Sequence, residues 1–277
     1  MVDMSGETHV VRKIDPFLAA LSTAVVSCSL LAIAVMYGWL GPDVGEGSNF
    51  CEALRTELIN QPANTWSNIG FVIAGLMIGW QGRKNPQLME GLVGFFACVV
   101  VLLGPASAAM HATGTVIGQN LDLTSMFLIS SFAVSYALKR WYGFGRGIFL
   151  AIFLVWLALG EFVLFLGIEI PVLLHGGNLI FAIGLILALT LEVGLWRRTR
   201  SAAVARAGIQ ALSALIAAFA IWLLDQGPLC DPDSLIQGHA LWHILCAVAS
   251  YCQFLVYRAH SEVDRDLQSR APDPARY

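Results

Sequence analysis

Residues 88–111 read LMEGLVGFFACVVVLLGPASAAMH, and after Glu90 no charged side chain interrupts the run before the imidazole of His111. A helix of about 20 apolar residues crosses the hydrocarbon core of a bilayer, and Leu88–Met110 has that length. The Gly104-Pro105 pair inside it is tolerated because neighbouring helices can satisfy the freed backbone groups. Seven further stretches read the same way, near Phe17–Leu40, Ala63–Trp80, Asn120–Leu138, Gly147–Leu166, Pro171–Trp196, Ala207–Leu224 and Gly238–Tyr257. The composition agrees: 57% of residues are hydrophobic and only 13% charged, against about a quarter charged in a soluble domain. The expected fold is all-α and integral to a membrane.

Loop charge sets the orientation, because Lys and Arg accumulate in short cytoplasmic loops. Arg12 and Lys13 precede the first span, Arg83 and Lys84 follow the second, and Lys139, Arg140 and Arg146 separate the fourth from the fifth. Arg197, Arg198, Arg200 and Arg206 lie between the sixth and seventh, and Arg258, Arg265, Arg270 and Arg276 follow the eighth. The opposite loops hold only Arg55. Both termini are therefore expected in the cytoplasm, which requires an even number of spans. The first apolar run exceeds the roughly 7–15 residues of a signal-peptide core and lacks an A-x-A-like cleavage site, so it reads as a retained anchor. The resulting organisation is a cytoplasmic segment 1–16, an extra helix 17–40, an outer loop 41–62, a seven-helix core 63–257 and a flexible cytoplasmic tail 258–277. His9 and His260 fall in the two cytoplasmic tails of this scheme.

With that topology His111, Asp122, His239 and His243 all end on the outer side. Ionisable groups at membrane depth are costly, so several converging on one leaflet read as a functional site. His239 and His243 are four residues apart and share a helix face, as do Ser107 and His111. Three imidazoles would form a site that leaves a fourth position open for water, and imidazole suits zinc while leaving copper, nickel and iron possible. Taken singly, each feature has a plainer reading: a His pair can cap carbonyls or meet headgroups, Ser107 can be a small packing residue, and Asp122 can cap its own helix. Their common side favours the metal reading.

Ser107-x-x-x-His111, Asp122 and His239-x-x-x-His243 resemble the signature of the membrane hydrolase superfamily that includes alkaline ceramidases and adiponectin-receptor-like proteins. Cys51-Glu52, Asn64-Thr-Trp-Ser-Asn68 and His239-Ala-Leu-Trp242-His243 are most similar to the ceramidase branch, and the resemblance runs from Asn49 to Tyr257. It implies zinc-dependent hydrolysis of the amide of ceramide or a related N-acyl lipid to a sphingoid base and a fatty acid. His111, His239 and His243 would hold zinc, Asp122 would act as general base and then acid, and Ser107 would donate to the developing oxyanion. Such a lipid stays in the bilayer, at about 0.8 kcal/mol per buried methylene, so its amide must be met near headgroup depth. Trp242, Glu161 and His175 are candidate substrate contacts; the plainer readings are an interfacial tryptophan for the first and helix-to-helix hydrogen bonds for the other two.

Cys51 and Cys230 are the two cysteines in outer loops, where an oxidising compartment would let them pair; a similar bond belongs to the resembled family. In the animal branch an acidic calcium-binding cluster lies near the first of these cysteines. Calcium prefers six to eight oxygen ligands, whereas this chain offers Glu52 among Asn49, Phe50, Leu54 and Gln61. Glu52 is at most a weak calcium ligand, to which Glu46 and Glu57 of the same loop could add, and calcium regulation is not assumed. Partners are membrane lipids rather than nucleic acid, and oligomeric state is not legible. Compact loops and short tails suggest a bacterial inner membrane, with the site facing the periplasm or, in another cell, a lumen. A non-catalytic lipid or peptide receptor with a structural zinc site is the main alternative. A transporter is disfavoured by the absence of an internal repeat.

Overall fold

The computed structural model describes residues 14–170 and 174–270. Nine α-helices make up nearly all of it: α1 (Pro16–Tyr37), α2 (Pro62–Ser67), α3 (Ile69–Lys84), α4 (Val93–Thr113), α5 (Val116–Tyr142), α6 (Arg146–Phe165), α7 (Gly176–Thr199), α8 (Ala202–Asp225) and α9 (Gly238–Arg270). A two-residue antiparallel pairing, Glu169–Ile170 with Leu174–His175, closes the connection between α6 and α7. The fold is all-α, and seven of the helices, α1 and α4 to α9, are each long and apolar enough to cross a membrane. The protein is a multi-pass membrane protein.

The second expected span differs from its reading as one helix. It forms as α2 and α3, interrupted at Asn68, and α3 alone has 16 residues. Together they cover residues 62–84, and neither is by itself long and apolar enough to be counted among the membrane-crossing helices. The third span starts later than expected, because Leu88–Gly91 is a 3-10 turn in which Met89 and Glu90 take left-handed backbone angles. The last helix runs on past Tyr257 to Arg270. Its extension is amphipathic: Ala259 and His260 are buried, the Ser261 hydroxyl accepts from the Met89 amide, and Arg258 pairs with Glu262 one turn on at 2.8 Å. A helix as far as Arg270 stands where a flexible tail was expected from residue 258, and its first turns pack against the turn before α4. His260 is therefore an interior residue, while His9 lies outside the described residues.

Large side chains such as Val155, Ile186 and Ile216 stand on the outer faces of their helices. In water such a surface would drive association; here it matches the hydrocarbon around the bundle. Helix contacts inside are close because small residues permit them, as is usual between membrane helices. A Cβ on Gly75 would come within 2.5 Å of Val101, and one on Gly118 within 2.8 Å of the Ala109 carbonyl. The first approach seats α3 on α4; the second seats the start of α5 on the last turns of α4. Helix α1 packs on α3 and α4 through Pro16, Ala20 and Ala24, with Pro16 and Ala20 against Gly79. Among the described residues α8 packs extensively only along α9, although a two-residue link joins it to α7.

The positively charged ends gather at one end of the bundle. Lys139 pairs with Glu90 at 2.6 Å, Arg140 with Glu192, and Arg258 donates to Gln81 at 2.8 Å. The histidines of the sequence signature lie towards the other end.

Candidate metal centre

The last turn of α4 carries His111, and its carbonyls would be left without intrahelical donors. Loop 41–62 satisfies them. The amides of Asn60 and Gln61 donate to the carbonyls of Ala112 and His111, each at 3.0 Å, and those of Val44 and Glu46 donate to Gly114 at 3.0 and 3.1 Å. The loop is thereby strapped across the end of the helix. It is also tied to the segment before α9 by the Cys51–Cys230 disulfide, whose Cα atoms are 5.4 Å apart.

Helix α9 begins under a second constraint. Asp225, the last residue of α8, accepts from the amides of Gly238 (2.8 Å) and His239 (3.1 Å), supplying the acceptor that a helix N-terminus needs. Gly238 makes room for it, since a Cβ there would lie 2.6 Å from that of Asp225. These two caps set α4 and α9 so that the imidazoles of His111, His239 and His243 meet, all three buried, with one nitrogen from each within 4.8 Å of the others.

Hydrogen-bonding groups hold two of the three rings. At His243 Nδ1 stand the Ser67 hydroxyl, 2.9 Å away, and the Asn68 side-chain amide, 3.3 Å away, both of which also lie against the Asn64 carbonyl. Nε2 of His243 faces Ser107 Oγ at 3.5 Å. His111 Nδ1 lies 2.8 Å from Gln61 Oε1, and its Nε2 lies 3.3 Å from Nε2 of His239. Two nitrogens held about 2.0–2.1 Å from one tetrahedral ion are themselves about 3.3–3.4 Å apart. Neutral nitrogen donors in a closed, water-poor pocket suit a borderline-soft divalent cation. The group can hold a metal ion.

Other residues singled out in the sequence fall as follows. Asp122 is half-buried on α5 and interacts with Ser107 through its side chain. Trp242 stands near Trp222 and Phe219 of α8, with ring centroids 6.0 and 6.4 Å away, which places it in the α8–α9 interface. Glu161, on α6, has one buried carboxylate oxygen with no hydrogen-bond partner among the described residues; it is not part of the histidine group. The side chain of His175 lies outside the described ones. Glu52 is buried and accepts from the amides of Ala63 and Asn64, both at 2.8 Å, so its carboxylate caps α2. Glu46 accepts from Gln119, and Glu57 is exposed.

A family model described as Ceramidase matches residues 47–272. The chain belongs to the ceramidase family. The match begins beyond α1 and takes in α2 to α9, with all three histidines, Ser107 and Asp122. Ceramidase membership points to a hydrolase acting on ceramide, a membrane lipid, and the histidine group supplies a place for a metal cofactor. No curated protein matches the chain significantly.

Four contributors to the site escape a reading of the sequence. Phe50 stacks on His239 with ring centroids 3.9 Å apart, Gln61 and Ser67 bond His111 and His243, and Asp225 fixes the first turn of α9. Only Asp225 carried a signal, an acidic residue at the end of an apolar span.

Proposed function

We infer that this chain is a zinc-dependent amidase that hydrolyses ceramide or a related N-acyl lipid to a sphingoid base and a free fatty acid. The observation that carries the reading is the meeting of three buried imidazoles beside Ser107 and Asp122 in a chain of the ceramidase family. His111, His239 and His243 would hold the ion. Zinc at such a site supplies Lewis-acid polarisation of the amide carbonyl and lowers the pKa of an attacking water towards about 7.

The remaining chemistry belongs to the chain. Asp122 takes a proton from the attacking water and returns it to the departing amine nitrogen, so one carboxylate serves as base and then acid. Ser107 donates to the carbonyl oxygen as negative charge grows there, an interaction worth more in the transition state than in the ground state. The amide C–N bond breaks, water contributes the carboxylic acid oxygen, and the amine leaves with the shuttled proton. Among the described residues α8 packs extensively only along α9, which supports lateral access for a lipid between α7 and α8.

In this reading α1 is an additional anchor and residues 63–257 form the catalytic unit. The bias of Lys and Arg to the opposite end favours a site facing away from the cytoplasm, as in a bacterial inner membrane with both termini inside. The test is hydrolysis of ceramide, a phytoceramide and other N-acyl lipids by the purified full chain in mixed micelles, before metal removal, after it, and after zinc is restored. Equimolar release of fatty acid and base by the zinc-loaded protein alone is expected. Tight metal binding without hydrolysis of any N-acyl lipid would contradict the reading and favour a receptor.

A further inference from the structure

We propose that Gln61 is the positioning residue that selects the metal-binding nitrogen of His111 and couples it to the disulfide-pinned loop; this rests on the reading of His111 as a metal ligand. Gln61 is completely buried. Its Nε2 donates to two backbone carbonyls of the loop, Gly47 at 2.9 Å and Glu52 at 3.0 Å. Rotating the amide by half a turn would set its oxygen against both carbonyl oxygens, so the orientation is fixed. Oε1 is consequently an acceptor, and Asn64 Nδ2 approaches it as a further donor at 3.4 Å.

That acceptor lies 2.8 Å from His111 Nδ1. The ring must place its proton on Nδ1, which leaves the lone pair on Nε2, the nitrogen directed at His239. A ligating histidine commonly donates its other N–H to an acceptor that fixes the tautomer and ring angle and raises basicity. Here the acceptor is anchored twice. The Gln61 amide also bonds the His111 carbonyl at 3.0 Å, so main chain and side chain grip the same residue. Glu52, whose carbonyl holds Gln61, is the neighbour of Cys51, and the loop's position is thus transmitted to the ring through one amide group.

The test uses the full chain in detergent, stripped of metal and titrated with cobalt(II) and zinc(II) against a competing chelator. Gln61→Met fills the same volume without an acceptor, while Gln61→Glu keeps an acceptor for His111 and loses the donor to the loop. Gln61→Met is expected to weaken metal binding about 10–100-fold and to shift the visible cobalt bands; Gln61→Glu, which keeps the acceptor for His111 but sets its second oxygen against the loop carbonyls, is expected to lose less than Gln61→Met. Wild-type affinity in Gln61→Met, or an equal loss in both variants, would overturn the proposal. Nitrogen-15 spectra of the zinc-loaded wild-type protein decide the point even if Gln61→Met does not fold: coordination of His111 through Nε2 is expected, and coordination through Nδ1 would overturn it. A wild-type chain that binds no metal would instead defeat the metal reading itself.

Discussion

Nε2 of His111 lies 3.3 Å from Nε2 of His239, although the two residues are 128 positions apart in the chain. With the Nδ1 proton of His111 held by Gln61, two ring nitrogens this close must share something positive between them, a proton or a cation. The placement of His243 on the same face of α9, one turn on, makes a shared cation the better fit.

On the proposed reading of His239 as a metal ligand and Asp122 as the base, their removal should separate cleanly. His239→Ala is expected to lose both bound metal and hydrolysis. Asp122→Asn should keep its metal and lose about 10²–10⁴-fold in turnover, the usual worth of positioned acid–base catalysis. Metal analysis and ceramide hydrolysis on the same preparations check this, and loss of metal in Asp122→Asn would reassign that carboxylate.

Calcium should have no effect on stability. The Glu52 carboxylate is committed to the Ala63 and Asn64 amides. Glu52→Ala should cost about 1–2 kcal/mol through the lost cap, and neither added calcium nor its chelation should move the melting temperature of the wild type. A calcium-dependent rise in melting temperature would contradict this assignment.

The Cys51–Cys230 bond closes a loop of 179 positions and holds Phe50, Glu52 and, through them, Gln61 against the histidines. Its loss should cost about 2–4 kcal/mol and speed metal release. Comparing chelator-driven zinc loss from the oxidised protein and from Cys51→Ser/Cys230→Ser tests the coupling; equal release rates would show that the loop stays in place unaided.

At the opposite end, Arg140 is buried between the rings of Tyr136 and Tyr257, with centroids 4.8 and 5.1 Å from its guanidinium carbon, and pairs with Glu192 of α7. Removing one partner of a buried pair strands a charge, at about 3–5 kcal/mol. Glu192→Ala should therefore be strongly destabilised, and Arg140→Met/Glu192→Met should recover most of the loss. Thermal denaturation of the three proteins gives the answer.

The apolar runs were legible because membrane burial demands long uninterrupted stretches, and the four-residue spacings placed each histidine pair member on one helix face. The break at Asn68 was not, since the interruption is a matter of local hydrogen bonding, with the Asn68 side chain reaching back to the Asn64 carbonyl. Nor was the extension of α9, whose polar residues resemble a solvated tail until Ala259 and His260 are seen buried. Gln61 and Ser67 were invisible for a different reason: an amide and a hydroxyl gain their roles only from what the fold sets beside them. The Asn64 carbonyl accepts from Ser67 and Asn68 of the same stretch, and the Asn68 side chain reaches His243 of α9 at 3.3 Å.

The most direct test of the shared cation is X-ray absorption at the zinc edge together with metal analysis of the purified wild-type protein. One zinc per chain is expected, with three imidazole nitrogens at about 2.0–2.1 Å and one further light ligand. A metal-free protein that cannot be loaded, or a bound zinc whose spectrum lacks imidazole scattering, would contradict the account.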